Sequence, residues 1–460
     1  MCACSYLGLL FNNRAVDEGS CLHLTCMLQK GDPKIIRAWT FYDWANSVYP
    51  LVISSAIFPI FYETVTTKRD PATGAVISDM ITWAGIEFHN TSFLSYVVAL
   101  SYLIVAFFSP VLSGIADYSG NKKRFLQFFC VLGAVSSSLL CFFDAGHIGW
   151  SMAALLFASV GYWGSLVFYN AYLPEIAEPA DHDKVSARGF AMGYIGSSLL
   201  LIIILVLGSF TKIMPIKYGF LLVGIWWIGF AMFTFRRLPN NVYNRKVEGN
   251  VFSKGYAELM KVFRDVLTRK QLRRFLGSYF MYNMGVQTVM IMAVPFATKA
   301  ISWENKEHMQ SSLIISILLI QFLGVAGSFL MSGLSRKIGN LKTLGLVIAM
   351  WVGVCSMVFA VVDMPVEFYI TAACVGLVMG GIQALSRSTY SKMLPETEDH
   401  ASYFSFFDVS EKIGLAIGTS TFGLIEDATG GIRNSVLSLI VTFIIGFLLL
   451  LRVPKSETVR

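Results

Sequence analysis

Charge is scarce in this chain. Asp, Glu, Lys and Arg make up 14% of its 460 residues, while hydrophobic residues make up 55% and aromatics 14%. Soluble domains carry roughly 25% charged residues, so the shortage excludes a water-soluble surface over most of the length. Histidine is also sparse, with six residues and no paired ligand spacing, which leaves no basis for a metal centre. The glycine-lysine loop that cradles phosphate in ATP-driven pumps is missing, as is a Gly-x-Ser-x-Gly elbow with suitably placed partners. ATP hydrolysis and hydrolase chemistry are set aside, and neither a cofactor nor enzymatic activity is expected. Of eight cysteines, Cys130, Cys141, Cys355 and Cys374 stand singly in apolar runs as packing residues, so no disulfide framework is implied.

Apolar sequence is abundant, in runs of about 20 residues, the length that crosses a hydrocarbon core of roughly 30 Å. Mean hydropathy is +0.61. The runs predict an all-α membrane protein of about twelve transmembrane helices. They lie near 40–65, 91–116, 125–143, 148–172, 189–210 and 218–235, then 275–298, 310–334, 343–362, 366–386, 403–425 and 435–453. The split between the ninth and tenth rests on Asp363, Met364 and Pro365, because proline is poorly placed in mid-helix.

The few charges are unevenly placed. Roughly 28 of the 36 Lys and Arg fall in the N-terminus, the even-numbered connections and the C-terminus, and about seven fall on the other side. By the positive-inside rule both termini are cytoplasmic. The net charge of +7 is then a topological signal; the basic residues are spread over many short loops, so no nucleic-acid partner is expected. The chain divides into an N-terminus (1–38), a six-helix bundle (39–236), a linker (237–274), a second bundle (275–453) and a tail (454–460). In the linker Tyr256, Leu259, Met260, Phe263, Val266 and Leu267 recur at helical spacing, predicting an amphipathic helix on the cytoplasmic membrane surface. Residues 1–26 hold Cys2, Cys4, Cys21 and Cys26 and lack the layout of a signal peptide. They are read as preceding a translation start at Met27, with a thiol or metal site as the alternative.

An internal repeat gives the architecture. Ser113-Gly-Ile-Ala-Asp-Tyr-Ser-Gly-Asn-Lys-Lys123 and Ser332-Gly-Leu-Ser-Arg-Lys-Ile-Gly-Asn-Leu-Lys342 share five of eleven positions at an offset of 219. Leu173-Pro174-Glu175 and Leu394-Pro395-Glu396 match at 221. Two matches at nearly one spacing point to a duplicated half, which places Asp117 and Arg336 in equivalent loops.

The first of these loops resembles the signature of the major facilitator superfamily. Asp117, Gly120, Lys122 and Lys123 match it, whereas Ser113 replaces the first glycine, with Gly114 beside it, and Tyr118 stands where a basic residue is usual. The resemblance implies two pseudo-symmetric six-helix bundles and a loop that latches them in one state. Glycine permits the tight turn, and Asp117 can pair with basic groups or a neighbouring helix end. A plain alternative is that these charges only hold the loop in the cytoplasm.

A closer resemblance is to the "unknown major facilitator" group related to the autophagy-linked vacuolar amino-acid effluxers. It is carried by Tyr42-Asp43-Trp44-Ala45-Asn46-Ser47, Ile57-Phe58-Pro59, Asn170-Ala171-Tyr172-Leu173-Pro174-Glu175, the spaced Gly189, Gly193 and Gly196, Gly381-Ile382-Gln383-Ala384-Leu385-Ser386-Arg387-Ser388, and Lys412. It implies a secondary transporter, with amino acids as solute by analogy to the eukaryotic relatives.

Depth and cost select candidate site residues, since an ionisable group at the bilayer centre costs at least roughly 2.5 to 3.5 kcal/mol and normally faces a partner or a wet cavity. Counted from Tyr403, Lys412 lies about 13 Å into its helix at 1.5 Å per residue. Asp408 shares its face and Glu411 lies within a turn. The cluster reads either as a cavity site that meets a substrate carboxylate or carries a proton, or as a self-cancelling pair with Lys412 snorkelling. Asp43 and Asn46 lie one to two turns into the first helix. Asp43 is a proton carrier, a gate partner for a basic residue of the other half, or a charge favoured by the helix dipole. Gln287 and Gln321 fall nearer mid-depth, to contact solute or to bond across helices. Asn170, Gln383 and Arg387 fall near cytoplasmic helix ends, where a gate is expected, although Arg387 also suits a positive-inside anchor. Gly376, Gly380, Gly381, Gly414 and Gly418 allow close helix contact.

The function expected is secondary active transport of a small solute by alternating access, with proton coupling. The competing class is a non-transporting membrane scaffold or receptor that keeps the fold. The expected partners are the solute, protons and the lipid bilayer, the expected state is monomeric, and the expected location is a bacterial inner membrane.

Overall fold

A computed structural model describes residues 30–70, 76–240 and 250–454. The cysteine-rich segment 1–26, with the start at Met27 read from it, lies outside the described residues, as do 241–249 of the linker and 455–460 of the tail.

Long helices dominate. The first six spans are α1 (Pro33–Thr66), α2 (Asn90–Ser119), α3 (Lys122–Phe142), α4 (Ile148–Ile176), α5 (Pro179–Ser209) and α6 (Tyr218–Arg237). The linker helix α7 (Val251–Thr268) follows. The second set is α8 (Lys270–Ala300), α9 (Lys306–Ile338), α10 (Asn340–Ala360), α11 (Pro365–Met393), α12 (His400–Thr429) and α13 (Ile432–Leu451). Among the described residues eleven helices are long and apolar enough to cross a membrane. The remaining long one, α12, has 30 residues, about 45 Å at 1.5 Å per residue. It is long enough to cross but carries Asp408, Glu411 and Lys412 in its middle.

Each predicted span coincides with one of these helices, and the differences have local causes. The fifth prediction starts at 189, whereas a 3-10 turn at Pro179–Asp181 leads into α-helix from His182. Its first turns hold Asp183, Lys184 and Arg188, which an apolar count passes over. The first span is interrupted: after Asn46 the backbone widens into a π-type stretch, Tyr49–Ala56, and resumes as Phe58–Thr66. Pro50 and Pro59, which lack an N–H, fall in the stretch and just after it. Two short hairpins between α1 and α2 were not expected. Strand β1 (Lys68–Arg69) pairs with β2 (Val76–Ser78), and β3 (Met80–Trp83) pairs with β4 (Ile86–His89). Ala84 and Gly85 turn the second hairpin with φ of 52° and 80°, the handedness two-residue hairpins need.

One end of the bundle, the linker face, carries α7 and both ends of the helical array. Gly31 N donates to Ile176 O at 2.8 Å, and Gln271 Nε2 donates to Pro454 O at 3.3 Å. The hairpins lie at the other end of α1 and α2. The repeated turns both use a glycine at positive φ but differ in form: α2 ends on Gly120 in the left-handed region (φ 66°, ψ 15°), and α9 ends on Gly339 at φ 90°, ψ 154°. Both are backbone states that a Cβ disfavours, which explains why these glycines survive in both copies. The halves meet where α5 packs on α9 and α11, and where α12 packs on α2 and α4. Each half has its own aromatic core. Trp39 stacks on Tyr169 at 4.5 Å in the first, and Trp351 stacks on Phe443 at 5.3 Å in the second.

Candidate functional site

Asp43 of α1 and Arg387 of α11 meet across the halves. The guanidinium approaches Asp43 Oδ2 at 3.3 and 3.4 Å. Tyr169 OH donates to the same oxygen at 2.7 Å. Arg387 also donates through Nε to Ser186 Oγ and through Nη2 to Ser186 O, both at 2.9 Å, and through Nη1 to Asn170 Oδ1 at 3.3 Å. Its Cζ lies 4.2 Å from the Phe190 ring centre and 4.9 Å from that of Trp39. One side chain of the second half thus binds α1, α4 and α5 of the first. Both ions are buried, so removing either strands the other in low dielectric. Gly189 makes the pair feasible, because a Cβ there would collide with the Asp43 carboxylate and stand 2.9 Å from the guanidinium. Of the three readings of Asp43, the structure displays the pairing with a basic residue of the other half.

Nearer the linker face two contacts built on acidic residues join the halves. Asp117 accepts from Ala401 N at 3.2 Å and from Ser402 N at 2.7 Å. These are orphan amides in the first turn of α12, where the helix dipole favours a carboxylate. Lys122 lies 3.8 Å from Asp117 and pairs with Glu175, and Glu175 in turn faces His400 Nδ1 at 3.2 Å. Across the repeat, Asp183 in the first turn of α5 takes Ser335 Oγ at 2.8 Å, Asn340 Nδ2 at 2.6 Å and Lys392 Nζ at 2.7 Å. Gly120 forms the turn, and Lys123 donates to Leu238 O at 2.8 Å within its own half. Arg336, the positional equivalent of Asp117, is exposed and the structure does not bring it into the latch. Gln383 accepts from Tyr194 OH at 2.6 Å, a further link between α11 and α5.

At mid-depth the charge belongs to α12. Lys412 Nζ donates to Asp408 Oδ1 at 2.9 Å, stands 3.9 Å from Glu411, and lies 3.5 Å from the ring centre of Trp163 on α4. Glu411 accepts from Gln287 Nε2 at 2.6 Å and from Tyr279 OH at 3.1 Å, both on α8. Asn283 lies between Tyr279 and Gln287 at helical spacing. Its Nδ2, together with Asp408 Oδ2, Gln321 Oε1 and both amide atoms of Asn46, is buried without a hydrogen-bond partner among the described residues. Such atoms are costly unless a bound group satisfies them. Lys412 therefore makes the intrahelical pair and also touches the other half. Gln287 joins the cluster, whereas among the described residues neither Gln321 Oε1 nor the Asn46 amide bonds to it.

Tyr169, Ser186, Asp183, Lys392, His400 and Trp163 were not anticipated. Asp183 had a signal: the offset of 219 relates it to Ser402, one of the two residues that Asp117 caps. Tyr169 precedes the flagged Asn170. Nothing local in the sequence marks Trp163 or Lys392.

Two bundles joined by charged latches at one end and a charged cluster at mid-depth define a transporter of the major facilitator fold. Solved structures agree. The fucose transporter FucP in its outward conformation matches with a TM-score of 0.66 at 12% identity, over 93% of this chain and 99% of that one. The human organic anion transporter MFSD10 matches at 0.69 and 11% identity, over 92% and 100%. A family profile described as "Vacuole effluxer Atg22 like" matches residues 31–182 and 177–460, and the chain belongs to that family. An uncharacterized MFS-type transporter, YxiO of Bacillus subtilis, is 29% identical over 92% of this chain and 95% of its own length. The autophagy-related protein 22 of Coccidioides immitis is 22% identical over 92% and 87%.

Proposed function

We propose that this transporter moves a small zwitterionic solute, an amino acid or a close analogue, by alternating access with a proton as the coupling ion. The single observation that supports this reading most is the mid-depth cluster on α12. It offers an ammonium and two carboxylates, an unpartnered Asp408 oxygen, and aromatic and amide neighbours on facing helices. A zwitterion supplies both a carboxylate and an ammonium to such a set, and the effluxer family to which the chain belongs points the same way.

The gate in this reading is the Asp43 and Arg387 tie with the two acidic latches below it. Rocking the halves apart at the linker face breaks all three, so each must be worth only a few kcal/mol in balance with the opposite state. A proton delivered to Asp43 removes one charge of the tie and leaves Arg387 held by Ser186 and Asn170, which couples a proton to opening. The orientation follows the basic residues: the linker face is cytoplasmic, in a bacterial inner membrane. The residues assigned are Lys412, Glu411, Asp408 and Gln287 for the solute, with Asn46 and Gln321 as further polar contacts. Asp43, Arg387, Asn170, Gln383, Asp117 and Lys122 serve the gate.

Proteoliposomes loaded with labelled amino acids and other small solutes, with and without a pH gradient, test this. The expected result is solute movement that accelerates with the gradient and slows in Asp43→Asn. If no solute in the panel moves while the protein is folded and inserted, the chain is a scaffold or receptor that keeps the fold.

A further inference from the structure

The linker helix α7 is docked on both halves at once. Its Gly255 crosses α2 at Gly114 so closely that a Cβ on Gly255 would stand 2.9 Å from the backbone of Ile115. Leu259, Val262 and Val266 bury the same side. Toward α12, Asp265 Oδ2 accepts from Tyr403 OH at 2.5 Å, Lys261 lies 3.6 Å from Asp399, and the Phe263 and Phe406 rings are 5.7 Å apart. The α2 end and the α12 start are the elements that Asp117 holds together, so α7 straps that junction.

The strap has a second apolar stripe that the bundle covers only in part, through Phe406 against Phe263. Phe252, Tyr256, Phe263 and Leu267 recur at helical spacing and are 73%, 54%, 40% and 45% exposed. Lys254, Lys261, Arg264 and Lys270 stand exposed around it. Apolar residues flanked by lysine and arginine on a helix at the end of a membrane bundle match a headgroup layer that carries negative charge.

We propose that the outward face of α7 binds the headgroups of anionic phospholipid, and that this binding holds the linker face closed by keeping the strap on α2 and α12. Neutral lipid gives the stripe a place to insert but no charge to hold it. Each basic residue near an anionic surface contributes about a fivefold factor in equilibrium constant. The proposal rests on the alternating-access reading in one respect, that the linker face opens.

The test uses the full chain in nanodiscs of phosphatidylcholine alone, or with about 30% phosphatidylglycerol as the anionic component. Spin labels at the exposed Arg124 and Glu396, with other accessible cysteines removed, report the distance across the linker face. An environment-sensitive label at Phe252 reports insertion of α7. The open population is expected to fall by roughly tenfold or more when phosphatidylglycerol is present, with the Phe252 label moving to a more apolar setting. The triple variant Lys254→Gln, Arg264→Gln, Lys270→Gln is expected to open equally in both lipids while its thermal stability in detergent stays at the wild-type value. Opening that occurs but ignores the lipid overturns this proposal and leaves the transport reading standing. A linker face that stays closed in both lipids contradicts both.

Discussion

The two latches at the linker face solve one problem with opposite arrangements. In the first, the acid sits in the last turn of α2 and the facing helix start is bare: Asp117 caps the backbone amides of Ala401 and Ser402. In the second, the acid sits on the helix start and the facing helix ends offer donors: Asp183 takes Ser335 of α9 and Asn340 of α10, with Lys392 of α11 behind them. Position 183 corresponds to 402 at the repeat offset of 219, so the carboxylate has changed sides while the contact has stayed. A duplicated fold preserves the meeting of a helix end with a helix start, and chemistry is free to choose which partner carries the charge.

That difference yields graded effects on the tie above and on the latches. Arg387→Ala leaves the Asp43 carboxylate buried without its ion and should cost roughly 3–5 kcal/mol of stability, whereas the Asp43→Asn, Arg387→Gln pair should recover most of it. Thermal unfolding in detergent measures both. Among the latches, Asp117→Ala should shift the equilibrium toward an open linker face by about 2 kcal/mol, roughly 30-fold, because it strips a charged cap from a helix terminus. Asp183→Ala should shift it by about 1 kcal/mol, because its lysine partner is partly in solvent. Spin-label distances across that face rank the two, and equal shifts would mean the capped amides add nothing.

The smallest effect expected is on the strap. Burial raises the Asp265 carboxyl, but the hydrogen bonds from Arg269 and Tyr403 outweigh it and hold the group below the usual aspartate range. The stabilisation is therefore full above the ordinary aspartate value and is lost as pH falls through the lowered one. Hydrogen exchange of the α7 amides should speed up only in strongly acidic solution, and Asp265→Asn should flatten that dependence.

Much of the frame was legible because apolar runs and a repeated turn are local signals. Gly120 and Gly339 both end a helix at positive φ, and Asp117, suited by its position to basic groups or a neighbouring helix end, meets both Lys122 and the start of α12. Pairings were not legible. Asp43 and Arg387 were each flagged, but they lie 344 residues apart, and no spacing rule links them. Gln287 and Glu411 were flagged separately for the same reason. Trp163 carries no signal, because an aromatic residue in an apolar helix bears no mark of what will stand over its face. Arg336 stands at the repeat position of Asp117 and is exposed, so the repeat offset carries position and not partner.

The mid-depth cluster is where pairing and recognition must be told apart, since Lys412 satisfies Asp408 and also meets Trp163 from the other half. Solute affinity and thermal stability, measured for Lys412→Gln and for Lys412→Gln with Asp408→Asn, separate them. If Lys412 recognises solute, both variants lose binding by about tenfold or more, the scale of a charge-assisted contact, while the double variant regains stability. Recovery of solute affinity in the double variant would contradict this and make the pair a structural one.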